Sequence, residues 1–323
     1  MSVDISALRA ALDGVRDALV VGHSHPDGDC AGSAASLAAY LIAGGARARV
    51  LFPEPLPLRL RFLCDGVELL ETLPDDLDDV TVICTDVASA VQLGGLREAL
   101  EHRVAIRIDH HEVSTPYAAR EFVDPAAAAT GEILFDLYAE TGLSRLPMTA
   151  KAAVFGAIAS DTGCFKYSNV TGNTLRVAAE LIDLGADVAP INKIFFDTKT
   201  FARLKLEARL TAGIELYAGG MVGLCTLPQR WIDELSISED DIDSISGFAR
   251  SIEGVEIGIM IREVEGGMGK LSLRTSPRYD ACALCQQLGG GGHAAAAGAS
   301  VAGGIEGAKK AILDVLAQSG IRL

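Results

Sequence analysis

Polar clusters that contain histidine follow apolar runs at three places in this chain, and they limit what it can fold into. His23 and His25 lie in GHSHPDGD, His110 and His111 in RIDHHE, and His293 in GGGGH. Aspartates lie beside or between these clusters: Asp27, Asp29, Asp86, Asp109 and Asp161. Imidazoles and carboxylates in this number supply the ligand set of a hydrolytic centre with two metal ions.

The composition is that of an ordinary globular chain. Its 323 residues are 49% apolar and 22% charged, and the length allows two domains with separate cores. No run approaches the roughly 18 apolar residues of a membrane span, and the N-terminus has no basic segment followed by an apolar stretch. Seven cysteines, an odd number, suit a reducing compartment. We therefore expect a cytoplasmic protein with no membrane contact.

A formal net charge of −15 restricts the partners. Such a charge repels nucleic-acid backbones at long range, so a long duplex footprint is disfavoured. Short oligonucleotides and small nucleotides remain as partners, and association into a homodimer is left open. Part of the acidity belongs to the candidate metal ligands, whose charge bound cations would offset.

The periodicity of the first half predicts an α/β unit around a parallel sheet. Short apolar runs, partly β-branched, predict buried strands at 18–22, 48–52, 80–84 and 104–108. Helical patterns separate or follow them at 31–43, 130–141, 149–159 and 174–184. Ligands of open parallel sheets bind at the carboxyl ends of the strands. His23, Asp86 and Asp109 each follow or end such a strand, so we expect them to meet at one edge.

The second half predicts a smaller α/β domain with a mixed sheet. We place a metal-binding domain at residues 1–188, a helical linker at 189–213 and a substrate-binding domain at 214–323. The linker is predicted to be one long helix over 190–213. Beyond the linker we expect a strand at MVGLCTL, a helical stretch over 231–252, strands at VEIGIMIREV and KLSLRTS, and a helix over 304–319. The active site is expected in the cleft between the domains.

Each candidate ligand also has an ordinary structural explanation. Asp27 and Asp29 would, alone, be an acidic turn that caps a helix. The Asp109 segment would be a solvated loop, although two adjacent histidines behind a strand are uncommon there. Asp161 is equally well a polar stop after a helix. Together, mixed imidazole and carboxylate groups suit Mn²⁺, Fe²⁺, Co²⁺ or Zn²⁺ better than Ca²⁺.

A local concentration of positive charge marks a second candidate site. Lys270, Ser272 and Arg274 alternate along a predicted strand, so they share one face, and Arg262 lies nearby. That face could bind a terminal phosphate through charge-assisted hydrogen bonds, although a solvated strand face is the ordinary reading. A glycine run follows: Gly290, Gly291 and Gly292 could present backbone N–H groups to an anion, with His293 as a further donor, at the start of a helix-like AAAAG segment.

These motifs, taken in order, resemble the DHH/DHHA1 phosphoesterases, particularly the bacterial oligoribonuclease (nanoRNase) and 3′-phosphoadenosine 5′-phosphate phosphatase branch. GHSHPDGDCAGS, ICTDVAS, RIDHHE and SDTGCFKYSNVTGNT are similar to the four motifs of the DHH domain. LSLRTS and GGGGHAAAAG resemble the hallmark of the DHHA1 domain. The resemblance covers almost the whole chain.

The resemblance implies a role for each candidate. His23, Asp27 and Asp86 would hold one metal, and Asp86 would be shared with a second. The ligands of the second metal would be Asp29, Asp86, His110 and Asp161. His111 would lie beside the transferring phosphate, and Asp109 would orient a histidine ring, since metal-bound imidazoles usually donate their other N–H group. His25 departs from the family pattern, and it could contact substrate or replace His23 as a ligand.

We therefore expect a two-metal phosphoesterase, with Mn²⁺ as the expected ion. It would hydrolyse short oligoribonucleotides and dinucleotides to mononucleotides and dephosphorylate 3′-phosphoadenosine 5′-phosphate by in-line attack of water at phosphorus. Three alternatives stay open: a phosphodiesterase for linear or cyclic dinucleotides, a RecJ-like single-strand exonuclease, and a non-catalytic nucleotide-sensing module. Inorganic pyrophosphatases share the metal motifs but lack the GGGGH domain.

Overall fold

The computed structural model describes residues 3–143, 146–238, 241–242 and 245–322. The chain divides into two compact units, residues 1–198 and residues 199–323. Among the described residues, no helix combines the length and the apolar character that a membrane span needs.

The first unit contains a six-stranded sheet in which every strand pair is parallel. Its strands are β1 (Asp17–Val21), β2 (Arg47–Leu51), β3 (Glu68–Leu70), β4 (Thr81–Thr85), β5 (Val104–Asp109) and β6 (Arg120–Val123). The spatial order is β3-β2-β1-β4-β5-β6. The order of connection therefore reverses between β1 and β4, and the carboxyl ends of strands at such a reversal are where open sheets bind ligands. The predicted α/β fold with a parallel sheet is confirmed.

Helices cover this sheet and supply most of the first core. The α-helices are α1 (Ile5–Leu12), α2 (Gly28–Ala43), α3 (Arg97–Leu100), α4 (Thr130–Thr141), α5 (Met148–Asp161), α6 (Gly172–Asp183) and α7 (Val188–Asn192). Helix α2 is buried along almost its whole length and packs on α5. Gly32 permits that approach, because a Cβ atom there would lie 2.4 Å from the carbonyl oxygen of Ala153. The packing holds the start of α2 and the end of α5 at fixed positions.

The second unit contains a separate mixed sheet of six strands. Its strands are β7 (Glu215–Tyr217), β8 (Val222–Leu227), β9 (Ile257–Val264), β10 (Met268–Thr275), β11 (Gly291–His293) and β12 (Ala296–Ala302), in the order β11-β12-β10-β9-β8-β7. β8 and β9 pair in parallel, and the other pairs among the described strands are antiparallel. The helices are α8 (Phe201–Ala212), α9 (Gln229–Leu235), α10 (Ala281–Gln286) and α11 (Gly304–Gln318). The mixed sheet agrees with the prediction.

Three local predictions differ from the structure. The segment 190–213 is not one helix: α7 continues as a π-helical turn over Lys193–Asp197, and α8 starts afresh where the hydroxyl of Thr200 accepts from the N–H of Arg203. Over 231–252, α9 ends at Leu235 and a 3₁₀ turn covers Phe248–Ser251, while residues 239–240 and 243–244 lie outside the described residues.

The third difference concerns the glycine run. The segment AAAAG does not start a helix: Ala294 and Ala295 form a turn, and Ala296 begins β12, which pairs antiparallel with β11 in a hairpin. Small side chains permit close strands here, since a Cβ atom at Gly290 would lie 2.1 Å from the carbonyl oxygen of Gly298. The predicted helix start after the glycine run is therefore wrong, and the role of the glycines in binding an anion stays a prediction.

Candidate metal centre

The candidate metal ligands lie where the elements of the first unit end or begin at one edge of its sheet. His23 follows β1, Asp86 follows β4, and His110 follows β5. Asp27 caps the N-terminus of α2, with its Oδ1 atom 3.0 Å from the backbone nitrogen of Cys30, and thereby sets the start of that helix. The two remaining candidates are Asp29, in the first turn of α2, and Asp161, the last residue of α5.

Three carboxylates surround the ring of His110. Its Nε2 atom lies 3.1 Å from Asp161 Oδ2, 3.6 Å from Asp86 Oδ1 and 3.7 Å from Asp29 Oδ2. The other ring nitrogen, Nδ1, lies 3.3 Å from the carbonyl oxygen of Ala127. That contact turns Nε2 towards the carboxylates, in the manner of a metal-ligating imidazole whose second nitrogen is already occupied.

A second group forms around His23. Its Nε2 atom lies 3.5 Å from Asp86 Oδ2 and 3.9 Å from Asp27 Oδ1, while its Nδ1 atom lies 2.7 Å from the carbonyl oxygen of Ser24. Asp86 thus presents one oxygen to His23 and the other to His110. A carboxylate between two ligand groups has the placement of a bridging ligand.

Asp86 reaches this position through an unusual backbone conformation. Its φ angle is +61°, in the left-handed region that residues other than glycine adopt infrequently. Its backbone nitrogen donates to the carbonyl oxygen of Ile108 at 2.9 Å, and Thr130 Oγ1 donates to its carboxylate at 3.2 Å. Strained residues of this kind persist where surrounding contacts over-determine them, often at functional sites.

Hydrogen bonds fix Asp29 in the interior. It accepts from the hydroxyl of Ser33 at 2.7 Å and from the backbone nitrogens of Thr130 and Gly131 at 2.6 and 3.1 Å. Its side chain has no solvent exposure. The sequence did not identify Thr130, which also contacts Asp86, and the only available signal was its place at the start of a predicted helix.

Crowding of the carboxylates perturbs their ionisation. Burial, followed by repulsion from Asp86 and Asp161, raises the pKa of Asp29 well above its usual range. Burial and repulsion from Asp27 and Asp86 raise the pKa of Asp161 to about 6. Burial opposes the charged form of His110, yet its hydrogen bond to Asp161 and the neighbouring carboxylates raise its pKa to about 10. Negative charges held this close together favour a bound proton or a cation that neutralises them.

The donor atoms also fit a metal ion by their spacing. Among the described residues, three groups have ligand atoms that all lie within 4.8 Å of one another, and Asp86 belongs to two of them. The groups are Asp86–His110–His111, Asp29–His110–Asp161 and His23–Cys30–Asp86. Cys30 was not predicted as a candidate, and its thiol accepts from the backbone nitrogen of His23 at 3.1 Å.

Asp109 and His111 form a pair at the edge of this centre. Asp109 is buried and its Oδ1 atom lies 2.7 Å from His111 Nδ1, so the carboxylate holds the ring from behind. Burial opposes ionisation of Asp109, but the hydrogen bonds from His111 and Arg107 lower its pKa below the usual range. Arg107 was not predicted, although a charged residue inside the apolar run VAIRI was a signal.

His25 does not join the ligand group. Its side chain is 82% exposed, and its Nδ1 atom lies 2.5 Å from Glu54 Oε2. The structure thus directs His23, not His25, towards the carboxylates.

In the second unit, the predicted basic face lines a groove of about 560 Å³ together with the glycine run. The predicted residues that line it are Lys270, Ser272, Arg274, Gly290, Gly291 and Gly292. Lys270 is also the register partner of Arg262 on β9, and Arg262 lines an adjoining cavity of about 330 Å³. His293 ends β11, is exposed, and is not among the residues that line the groove.

Arg274 has the most buried charge of this groove. Its guanidinium donates to Ser246 Oγ and to the carbonyl oxygen of Leu273, both at 3.0 Å, and burial lowers its pKa. Neither partner carries a charge. Lys270 and Arg274 both line the groove, so an anion bound there would meet positive charge.

Comparison with known proteins places this chain among phosphoesterases. Residues 17–159 match the DHH family, N-terminal domain, and residues 225–319 match the DHHA1 domain. The chain is 32% identical to the bifunctional oligoribonuclease and PAP phosphatase NrnA of Thermus thermophilus over 285 residues, which cover 88% of this chain and 84% of that protein. It is 24% identical to the protein of the same name from Bacillus subtilis, over 86% of this chain and 87% of that one.

A solved structure has the same fold. The exopolyphosphatase-related protein from Bacteroides fragilis is 21% identical, with coverage of 97% of this chain and 95% of that chain and a TM-score of 0.89. Because both domains match and the similarity to the Thermus thermophilus protein covers most of the length, the chain belongs to the DHH/DHHA1 family of phosphoesterases.

Proposed function

We propose that this protein hydrolyses short oligoribonucleotides to mononucleotides and dephosphorylates 3′-phosphoadenosine 5′-phosphate with two divalent cations. The observation that carries the proposal is the convergence of buried carboxylates and imidazoles from four chain segments, with Asp86 facing both His23 and His110. The similarity to relatives named for both activities supports the choice of substrates.

The donor set fits two cations that share one carboxylate. His23, Asp27 and Asp86 would hold the first, and Asp86 would also serve the second. The ligands of the second would be Asp29, Asp86, His110 and Asp161. Mixed nitrogen and oxygen donors suit Mn²⁺, which is our proposed ion. Two such cations supply Lewis acidity at phosphorus and lower the pKa of water.

The side chains of the protein itself position the substrate. His111, held at Nδ1 by Asp109, would direct its other nitrogen at a phosphoryl oxygen. We assign the metal chemistry to residues 1–188, the linker to 189–213 and the binding of a substrate phosphate to residues 214–323. In the latter, Lys270, Ser272 and Arg274 would bind the phosphate by charge-assisted hydrogen bonds. Backbone N–H groups of Gly290, Gly291 and Gly292 could add to it, with Arg262, His293 and His25 as further candidates for substrate contact.

A substrate panel with metal-stripped protein tests the proposal. We expect Mn²⁺ to restore release of phosphate from 3′-phosphoadenosine 5′-phosphate and of mononucleotides from a 5′-phosphorylated diribonucleotide. Asp86→Asn should be inactive. Asp136→Asn, which changes an exposed carboxylate on α4 outside the site, should be active. Binding without turnover under every metal would instead indicate a nucleotide-sensing module.

The same panel separates the remaining alternatives. Preferred cleavage of a cyclic or linear dinucleotide with no phosphatase activity would indicate a dinucleotide phosphodiesterase. Degradation of long single strands at a rate equal to or above that of the diribonucleotide would indicate a RecJ-like exonuclease. The net charge of −15 argues against long strands.

A further inference from the structure

A buried arginine lies behind the Asp109–His111 pair. Arg107 is in β5 and has no solvent exposure. One guanidinium nitrogen, Nη2, donates to Asp109 Oδ2 in a short hydrogen bond, and the other, Nη1, lies 2.9 Å from Glu121 Oε2 on β6. A charged side chain is seldom buried in a strand unless it is paired. Arg107 is paired on both sides.

The two oxygens of Asp109 have separate partners. Oδ1 accepts from the backbone nitrogens of His110 and His111, at 2.8 and 3.2 Å, and lies 2.7 Å from His111 Nδ1. Oδ2 accepts from Arg107. Both oxygens of the Asp109 carboxylate are therefore held, and the carboxylate cannot rotate without breaking the contact with the Arg107 guanidinium.

Further contacts fix Arg107 itself. Glu121 Oε1 accepts from the backbone nitrogens of Tyr117 and Ala118, both at 2.8 Å. The Tyr117 ring lies 5.4 Å from the guanidinium carbon, and its hydroxyl donates to the carbonyl oxygen of Val87, the residue after Asp86. The network thus joins β5, β6, the segment after RIDHHE and the turn that carries Asp86.

We propose that Arg107 is a positioning residue: it locks the Asp109 carboxylate so that His111 is held through Nδ1 and keeps its other ring nitrogen for the substrate. Arg107 acts through Asp109 and touches none of the six proposed ligands. The inference rests on the proposed function in so far as His111 serves hydrolysis. Its geometric part, the fixed Asp109–His111 contact, can be measured without turnover.

Four variants separate positioning from stability. Arg107→Met removes the guanidinium and Arg107→Lys keeps a single positive charge that cannot form the fork. Arg107→Met/Glu121→Gln removes both charges of the outer pair. The matched control is Arg49→Met: Arg49 is also buried in this sheet, on β2, and its Nη2 atom lies 2.6 Å from Asp17 Oδ1 at the start of β1.

The first readout is kinetic, on the diribonucleotide with saturating Mn²⁺ and corrected for the folded fraction. We expect Arg107→Met to lower kcat by about 10- to 100-fold, the usual effect of losing a group that orients a site residue, with Mn²⁺ affinity and KM close to wild type. Arg107→Lys should recover part of kcat. The double variant should regain stability but not kcat. Arg49→Met should lose stability and keep kcat.

The second readout needs no activity. In the metal-free protein, the downfield proton signal of His111 Nδ1–H, assigned by its absence in His111→Gln, should broaden or vanish in Arg107→Met and persist in Arg49→Met. If wild-type protein hydrolyses none of the substrates, the proposed function fails while this signal still decides the inference. Any of four results would overturn the positioning role of Arg107. They are wild-type kcat in Arg107→Met, an unchanged His111 Nδ1–H signal in that variant, recovery of kcat in the double variant, and an equal loss of kcat in Arg49→Met.

Discussion

Replacing Asp161 with asparagine should stabilise the metal-free protein at neutral pH while it abolishes the function of the centre. Asparagine has nearly the size of a protonated aspartate, and its carbonyl oxygen can still accept from His110, which lies 3.1 Å from Asp161. The substitution removes the negative charge that Asp27 and Asp86 repel. We therefore expect stability and activity to change in opposite directions.

The size of the effect follows from the raised pKa of Asp161, about 6 against an ordinary 3.8. That difference corresponds to about 3 kcal/mol, at about 1.4 kcal/mol per pH unit. The folded protein binds this proton more tightly than the unfolded chain. The stability that protonated Asp161 contributes is thus fully present below about pH 4 and is lost as the pH rises through about 6. The pKa of His110 is raised from 6.5 to about 10, so the stability that its protonated ring contributes is lost only as the pH rises from about 6.5 to 10. That range lies above the pKa of Asp161.

Denaturation of the metal-free wild type and of Asp161→Asn between pH 4 and 7 measures the difference. The two should be almost equally stable at pH 4, and the variant should gain up to about 3 kcal/mol by pH 7. For a unit of this length that gain corresponds to about 6–12 °C in Tm. With Mn²⁺ at about 100 times its dissociation constant, the wild type should gain about 2.7 kcal/mol and the variant less, so the difference in stability between the two should narrow.

Two results would contradict this reasoning. A stability difference that is flat between pH 4 and 7 would mean that Asp161 is not perturbed in the folded state. A variant that is less stable than the wild type at pH 7 without metal would mean that attraction to His110 outweighs repulsion by the other carboxylates. Asp183→Asn, which changes an exposed carboxylate at the end of α6, serves as the control for a carboxylate outside the centre.

Three further substitutions test individual residues. Asp86→Ala should abolish turnover, since this carboxylate faces both His23 and His110; unchanged kcat would refute the shared role. Arg274→Ala should raise KM by about tenfold or more, the value of one charge-assisted hydrogen bond, with little change in kcat; initial rates over a range of substrate concentrations decide this. His25→Asn should leave Mn²⁺ affinity unchanged in calorimetry, because its ring contacts Glu54; a weaker affinity would show that His25 is a ligand.

The sequence predicted four of the six strands of the first sheet, β1, β2, β4 and β5, because each has a strong local signal, whereas the short strands β3 and β6 were not predicted. Strands such as Val104–Asp109 are apolar runs of the right length, and their polar termini meet because parallel strands end at one edge. That argument needs no knowledge of side-chain geometry. It sufficed to nominate Asp86, which the structure brings close to His110. Asp161 ends a helix, and its role came from the family resemblance alone.

Features that depend on tertiary contacts were not predictable in this way. The alanines of β12 favour a helix by intrinsic propensity, and pairing with β10 and β11 overrides it. α7 and α8 are separated by a π-helical turn and by extended residues before the N-cap Thr200. Arg107 was read as part of an apolar strand, since nothing local shows that Glu121 will lie beside it.

The conformation of Asp86 connects the fold with its chemistry. A left-handed φ for a residue other than glycine or asparagine costs on the order of 1 kcal/mol or more, and glycine at this position would relieve the strain. Only a side chain at this turn can place one oxygen near His23 and the other near His110. The backbone hydrogen bond to Ile108 and the anchoring of Val87 by Tyr117 hold the turn in place. We infer that the scaffold tolerates both the strain and the crowded charges because cations, once bound, offset them.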